Sequence, residues 1–390
     1  MARLTDEQLQ EIKDEHGCDR IWSWSRVNTF MTSPYEYMLH YVKNVPEDRH
    51  DCAYATLGTI SHDTIDAFYE GQIKYEDMIE QFKDGWITAI DIINLKLDRN
   101  DEEKDKKLKE KYYENLVRFF ENHTIYKHEL LIEKPITAKI GDNVFVGYID
   151  GMYKDDDGVY HILDFKTSTK YSGKGLEEHS GQLTIYAIGL MQTGVPLDKI
   201  RACFNFLKYV TIQYQQKNGA VKTRDVERCK VGESLQANAR MWLKEYGYED
   251  EADEYLIKLL DENSVDVLPK EVREKYVVED CHVYIPLDQE SVEKWEDVID
   301  KTIKDIRKRE KKFAETNDEN AFWDTNTSVE EQSYYFATLS GYSANLHKPY
   351  QKYLERLEQQ KSRFDFFGGV RGSEASNNND DIDLSWLNNM

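Results

Sequence analysis

The stretch HILDFKTS, residues 161–168, places an acid and a lysine within an otherwise apolar run. Alternation along a strand puts Asp164 and Lys166 on one side of a sheet and Phe165 on the other. The preceding run VGYIDGMY, residues 146–153, contains Asp150, and an Asp-Asp-Gly turn separates the two runs. The turn predicts that the two strands pair, which would bring Asp150 close to Asp164. Two carboxylates and one ammonium are therefore expected to converge.

Such a cluster favours metal-assisted chemistry. Neighbouring carboxylates repel each other unless a cation lies between them. Mg²⁺ accepts one or two carboxylates together with waters and substrate phosphate oxygens, and Lys166 could orient a water or stabilise developing charge. The pattern indicates phosphodiester hydrolysis, although an ordinary solvent-facing Asp–Lys pair is the more frequent explanation of a bare D-x-K motif.

Four further motifs accompany this strand in a fixed order. SWSR (residues 23–26) with the Ser33-Pro34 step and GTISH (58–62) precede it, GYIDG (147–151) lies on the strand before, and GQLTIYA (181–187) follows on a helix. From about Trp22 to about Leu207 the chain resembles the RecB-type nucleases of the PD-(D/E)xK superfamily, in their stand-alone phage and bacterial form. The resemblance implies an α/β fold, with a mixed central sheet flanked by helices.

The resemblance also implies roles for individual residues. Asp150 and Asp164 would be metal-binding and catalytic acids, and Lys166 would be the catalytic lysine. His62 and the backbone carbonyl of Phe165 would complete the metal site. The expected cofactor is Mg²⁺ or Mn²⁺, and an imidazole ligand is more natural for Mn²⁺. Taken alone, His62 would more often be a core or surface histidine.

Other residues are expected to contact DNA or to support the site. Gln182 and Tyr186 lie one helical turn apart and so share a face, although Tyr186 also fits the apolar face of its helix. Lys170 and Lys174 follow the catalytic strand in a Gly-containing loop, where they could meet phosphates or remain solvated. Glu133 is interpreted as a solvated strand residue.

A second feature is the set of positions at which many relatives have the cysteines of an iron–sulfur cluster. Many relatives join their N-terminal and C-terminal regions through an iron–sulfur cluster held by four cysteines. This chain has Ser33 at the first of those positions and Ser340 among the later ones. Because such clusters need thiolates, no cluster is expected, and aromatic packing by Tyr335, Phe336 and Tyr342 is predicted to join the two segments.

Composition sets broader limits. The chain has 390 residues, 40% hydrophobic content and a formal net charge of −23. This charge disfavours a general nucleic-acid coat, yet it allows a local basic groove. Without a long apolar run or secretory segment, a cytoplasmic location without membrane contact is expected, in the host if the chain is phage-encoded. The five cysteines form no C-x-x-C pair, which suits reduced thiols.

The pattern along the chain predicts four parts of one α/β protein. Residues 1–125 are predicted to be helical and to carry the His motif, and residues 126–216 to form the nuclease core. Residues 217–371 are predicted to add a hairpin and C-terminal helices. Residues 372–390 are expected to be a disordered acidic tail, in which a protein-docking role remains open. Ser25 is predicted to cap a helix that ends at the Ser33-Pro34 step.

The sequence thus predicts a metal-dependent deoxyribonuclease. The expected activity is that of an exonuclease at DNA ends, on single-stranded DNA or DNA with a free end, in phage or bacterial replication, recombination or degradation. Three alternatives remain open: a structure-specific endonuclease, a non-catalytic DNA-binding or recombination scaffold with the same fold, and an inhibitor or adaptor that acts through protein contacts.

Overall fold

A mixed seven-stranded sheet forms the centre of the protein. The structure is a computed structural model that describes residues 3–368, with side chains to residue 362. The expected acidic tail, residues 372–390, lies outside the described residues. The predicted α/β class is confirmed, since helices cover both faces of the sheet.

The strands include the pair predicted around the Asp-Asp-Gly turn and the predicted hairpin. They are β1 (Ile21–Trp22), β2 (Leu131–Ile140), β3 (Asn143–Lys154), β4 (Tyr160–Lys166), β5 (Ile200–Gln215), β6 (Val221–Glu227) and β7 (Tyr276–Tyr284). The sheet order is β1-β3-β4-β5-β6, with β2 also paired to β3 and β7 to β5. Strands β4 and β5 run parallel, as do β1 and β3, whereas the other pairs are antiparallel.

Turn residues explain where the chain reverses direction between β2 and β3 and between β3 and β4. Gly141 between β2 and β3 has φ 57°, and Gly158 between β3 and β4 has φ 77°, a region that favours glycine. The Asp155 carboxylate accepts hydrogen bonds from the backbone amides of Asp157 and Val159, at 3.0 and 2.8 Å. This turn fixes the pairing of the two strands that carry Asp150 and Asp164.

Fourteen α-helices surround the sheet within residues 3–368. They are α1 (Asp6–His16), α2 (Trp24–Thr32), α3 (Pro34–Tyr37), α4 (Ala53–Tyr69), α5 (Met78–Trp86), α6 (Glu102–Asn122), α7 (Gly173–His179), α8 (Gly181–Gln192), α9 (Val231–Glu245), α10 (Ala252–Glu262), α11 (Lys270–Arg273), α12 (Gln289–Thr316), α13 (Asn326–Glu331) and α14 (Lys348–Gly368). None of these helices has both the length and the apolar character required to cross a bilayer.

One helix boundary differs from the prediction. The Ser23 side chain, not Ser25, caps α2 by accepting a hydrogen bond from the Arg26 amide at 3.3 Å. Ser23 has the extended backbone that a cap requires, because it directly follows β1. The predicted break is confirmed, since Ser33 ends α2 and caps α3, with Pro34 in the first helical position.

The core divides between the two faces of the sheet. One cluster packs α2, α3, α8 and α12 against a face that includes Phe204 and Phe206. The other packs α4, α5 and α6 against a face that includes Leu163 and Phe165. Trp22 is fully buried in the first cluster. The catalytic strand predicted from the sequence therefore lies between two packed layers, with one end left for a site.

Candidate active site

Four charged or titratable side chains meet beside β3 and β4. They are His62, Asp150, Asp164 and Lys166, which we call the charged cluster. Lys166 Nζ lies 2.7 Å from Asp164 Oδ1, and the Asp150 and Asp164 carboxyl groups are within hydrogen-bonding reach of each other. His62 Nδ1 lies 3.7 Å from Asp150 Oδ2. The structure therefore brings the four residues together.

Strand register explains the convergence of the two acids. Gly151 pairs with Leu163 across β3 and β4, so Asp150 and Asp164 lie level at the next position. The ring of Phe165 is buried on the opposite face, with only 2% of the residue exposed. Its amide donates to Asp150 Oδ2 at 3.0 Å, and its carbonyl lies 2.8 Å from His62 Nε2. The backbone amide and carbonyl of Phe165 thus contact two members of the charged cluster, Asp150 and His62.

Burial and charge shape the protonation of this cluster. Burial first, and then the neighbouring Asp164, raise the pKa of Asp150 well above its usual value. Burial alone would lower the pKa of Lys166, but the Asp164 and Asp150 carboxylates hold it above its ordinary value. Burial lowers the pKa of His62 and so favours the neutral imidazole. A protonated lysine beside two repelling carboxyl groups results.

The donor atoms of the cluster suit a divalent cation. Asp164 Oδ2 is buried and has no hydrogen-bond partner within residues 3–368, although a buried charged oxygen normally requires one. No group of three or more His, Cys, Asp or Glu side chains forms a ready-made metal site in the described part of the chain. Mg²⁺ does not require three, since it binds through one or two carboxylates plus waters and phosphate oxygens. The two acids and the Phe165 carbonyl fit that pattern.

Gln182 and Tyr186 lie on α8 and contact each other. Gln182 Nε2 donates to the Tyr186 hydroxyl at 2.9 Å. Burial raises the pKa of Tyr186, and the charges of Asp164, Asp150 and Lys166 also act on it. The Tyr186 ring packs closely on Gly147, where an added Cβ would lie 2.5 Å from Cε1. The tyrosine therefore fills the space beside the cluster.

The two loop lysines form ion pairs within the protein. Lys170 Nζ lies 2.8 Å from Asp225 on β6. Lys174 Nζ lies 3.2 Å from Glu178 within α7, and its side chain is 88% exposed. A phosphate contact by Lys170 would compete with its Asp225 partner. Lys174 remains available to solvent, because an exposed pair of this kind is weak.

Two acids near His62 were not included in the predicted site. Glu133 on β2 lies level with Asp150 and has φ 49°, a left-handed conformation that is unusual for a glutamate. Its exposure is intermediate, and its interpretation as a solvated strand residue stays a prediction. Asp66 lies one turn beyond His62 on α4, and burial followed by the Glu133 charge raises its pKa to about 7. The i,i+4 spacing from His62 was the available sequence signal for Asp66.

A second buried polar group joins the two ends of the described chain. It contains Ser33, Glu36, Asp324, Ser340 and His347, which we call the polar joint. Ser33 Oγ donates to Asp324 Oδ2 at 2.8 Å and lies 3.0 Å from His347 Nε2. Ser340 Oγ donates to Glu36 Oε2 at 2.8 Å. Hydrogen bonds therefore connect the segments that the sequence analysis expected aromatic packing to join.

Aromatic residues do line this region, but they are only part of it. Phe336 and Tyr342 are buried, and the Phe336 ring lies 4.5 Å from the ring of His347. The Tyr335 hydroxyl donates to Glu36 Oε1 at 2.5 Å. All five cysteines of the chain are free thiols, and none belongs to the polar joint.

The sequence comparison is consistent with this geometry. A sequence model of the PD-(D/E)XK nuclease superfamily matches residues 21–320, well over half of the chain. The matched region contains all seven strands and all four residues of the charged cluster. A search of curated proteins found no match.

Proposed function

Because the chain belongs to the PD-(D/E)XK nuclease superfamily, we propose that it is a metal-dependent deoxyribonuclease of the RecB type. We propose further that it acts as an exonuclease at DNA ends. The observation that carries the proposal is the charged cluster, in which a buried Asp164 oxygen without a partner lies beside Asp150 and Lys166. A merely structural strand has no need of such an arrangement.

Each residue of the cluster has a proposed task. Asp150, Asp164, His62 and the Phe165 carbonyl would hold Mg²⁺ or Mn²⁺. The bound cation supplies Lewis-acid polarisation of a phosphoryl oxygen. Lys166 stays protonated beside Asp164 and donates hydrogen bonds to the oxygen on which negative charge develops. The Asp164 carboxylate in turn fixes the position of this ammonium.

The finer assignments rest on the resemblance in motif order and spacing. Stand-alone relatives of this type act at DNA ends in phage and bacterial DNA replication, recombination or degradation, and the same role is proposed here. No iron–sulfur cluster is proposed, since Ser33 and Ser340 offer hydroxyls that already bond to Asp324 and Glu36. A protein partner for the acidic tail remains a prediction.

Cleavage of two DNA forms tests this function. Purified protein would be incubated with end-labelled linear DNA and with covalently closed circular DNA, in Mg²⁺ or Mn²⁺. Loss of linear DNA alone is the expected result, and nicking of the circle would indicate an endonuclease instead. Asp164→Ala and Lys166→Ala should abolish cleavage, whereas Lys154→Met, on the exposed end of β3, should not. Absence of cleavage by the wild type in either metal would leave a binding scaffold.

A further inference from the structure

Lys208 on β5 is a buried lysine that has no anionic partner in the part of the chain that the structure describes. The residue is 7% exposed, and its ammonium lies 3.4 Å from the centroid of the Tyr112 ring. Among the described residues, no hydrogen bond or ion pair to this ammonium is formed. Glu227, an acid whose charge acts on it, is already paired with Lys111 at 2.6 Å. A buried ammonium in this state is costly for the fold.

A chain of three tyrosines leads outward from the Lys208 ammonium, beginning with Tyr112. The Tyr54 and Tyr112 rings meet edge to face at 5.7 Å. The hydroxyl of Tyr54 interacts with that of Tyr334, a residue that is 44% exposed. We call Tyr54, Tyr112, Tyr334 and Lys208 the tyrosine–lysine cleft. Its inner end is cationic and its outer end is an exposed aromatic ring.

The cleft and the charged cluster share two elements of the fold, α4 and the β4–β5 strand pair. Tyr54 lies two helical turns before His62 on α4, and Gly58 lies between them, where an added Cβ would be 3.8 Å from Thr167 Oγ1. Thr167 directly follows Lys166. On the sheet side, Phe206 pairs with Lys166 across β4 and β5, and Lys208 lies two residues further along β5. Both connections lead from the carboxyl end of β4 to the cleft, in which Lys208 contacts α6 through Tyr112.

We propose that Lys208 binds a backbone phosphate of the DNA strand next to the scissile position, and that Tyr334 with Tyr54 stacks on its bases. The proposal rests on the proposed nuclease function and narrows its substrate to a strand with unpaired bases. Burial lowers the pKa of Lys208 to about 7. A bound phosphate would favour the protonated ammonium and supply the opposite charge that no carboxylate of the described chain provides. Stacking on aromatic rings suits single strands of any sequence.

The acidic surface makes such a local contact necessary. With a formal net charge of −23, the protein repels DNA at long range. Lys170 and Lys111 are both paired with carboxylates on β6, Asp225 and Glu227. Lys208 carries no such pair, so a phosphate that reaches it displaces no carboxylate.

Binding measured without catalysis tests the phosphate contact. The full chain would be titrated, in EDTA, into a fluorescein-labelled single-stranded oligothymidylate, and anisotropy would be followed over a salt series. Lys208→Met should weaken binding by about tenfold and reduce the slope of log affinity against log salt by about 0.7. Lys258→Met, which removes an exposed lysine on α10, is the matched control. If both variants bind like the wild type, Lys208 packs on Tyr112 and has no role in binding.

An abasic strand tests the stacking part. Tyr334→Ala should weaken binding of the oligothymidylate by about fivefold or more, yet leave binding of an abasic strand of equal length unchanged. Equal weakening on both strands would overturn stacking, because a lost phosphate contact affects both. Circular dichroism of each variant checks that it is folded.

Cleavage of the same DNA in Mg²⁺ or Mn²⁺ distinguishes failure of the proposed nuclease function from failure of the cleft proposal. If the wild type cleaves DNA but Lys208→Met binds normally, the nuclease function stands and the cleft proposal is wrong. If the wild type does not cleave, but Lys208→Met shows the expected loss of affinity and salt slope, the phosphate site stands and the nuclease function is wrong.

Discussion

The charged cluster and the polar joint are built from similar groups but differ in access. Each joins distant segments through a histidine and carboxylates, and each contains a buried carboxylate oxygen, Asp164 Oδ2 or Asp324 Oδ1, that has no partner among the described residues. The side chains of His62 and Lys166 are 28% and 26% exposed. Those of Asp324 and His347 are fully buried.

This difference separates a site from a structural element. In the charged cluster, the partly exposed His62 and Lys166 leave a path by which a cation can complete the unpaired Asp164 oxygen, so the cost of that oxygen is recovered on binding. An unpaired oxygen that nothing can reach is a fixed cost of the fold, offset by its neighbours. In the polar joint, His347 Nδ1 accepts from the Tyr350 amide at 3.2 Å, which assigns the ring proton to Nε2, facing Ser33 and Asp324. Access, more than the residue types, therefore distinguishes the two regions.

The largest expected effect separates activity from stability in the charged cluster. Asp150→Asn removes a carboxylate that burial and Asp164 already disfavour. Cleavage should fall by a hundredfold to about a thousandfold, while thermal stability stays equal or rises, as stability–activity trade-offs predict. Single-turnover cleavage and thermal denaturation measure the two effects. A variant that keeps its activity would remove Asp150 from the site.

The opposite pattern is expected in the polar joint. His347→Ala strips Ser33 and Asp324 of their shared partner and should lower the free energy of unfolding by about 3 kcal/mol. Cleavage per folded molecule should not change. Chemical denaturation measures the loss, and His50→Ala, at an exposed position, serves as the control. A selective loss of activity would mean that the joint acts on the site.

Two glycines near the site allow a matched pair of glycine-to-alanine substitutions to be compared. Gly147→Ala places a Cβ 2.5 Å from the Tyr186 ring, so it should cost about 1–3 kcal/mol and shift Tyr186 beside the cluster. Gly58→Ala meets only an ordinary contact with Thr167 and should stabilise α4 by up to about 1 kcal/mol. Denaturation curves for both variants check the signs. Equal effects would show that the Tyr186 packing is loose.

The smallest effect is a pH dependence of stability due to Lys208. Its pKa falls from 10.5 to about 7 on folding, because burial and Lys111 outweigh Glu227. Between these values the unfolded chain binds more protons, so the free energy of unfolding rises with pH, by about 1 kcal/mol from pH 7 to 8. Denaturation at pH 6 to 9 should show that Lys208→Met lacks this rise. Parallel pH profiles would contradict the burial of a charged Lys208.

Local patterns in the sequence predicted much of the fold and the core of the site. Strand alternation and the turn before β4 were enough to bring Asp150, Asp164 and Lys166 together. The left-handed Glu133 was not predictable, since residue type argues against it. Lys208 was missed because it packs on Tyr112 of α6, which lies far away in the sequence.

The polar joint was missed for a related reason. Hydrogen bonds between Ser33 and His347 span 314 positions, and no periodicity records such a pairing. The resemblance to the nuclease family identified Ser33 and Ser340 only as positions at which many relatives have cysteines. The acids and the histidine that bond to them carried no local signal.

The length of that connection has a consequence during protein synthesis. At about 5–20 residues per second, a ribosome needs roughly 15–60 seconds to proceed from Ser33 to His347, which are 314 positions apart. The four charged-cluster residues all emerge before Asp324, so a nascent chain holds them without the joint that fastens its ends. A chain whose synthesis stops between Lys166 and Asp324 therefore contains every residue of the charged cluster but cannot form the polar joint. Only completed synthesis supplies both the charged cluster and the polar joint.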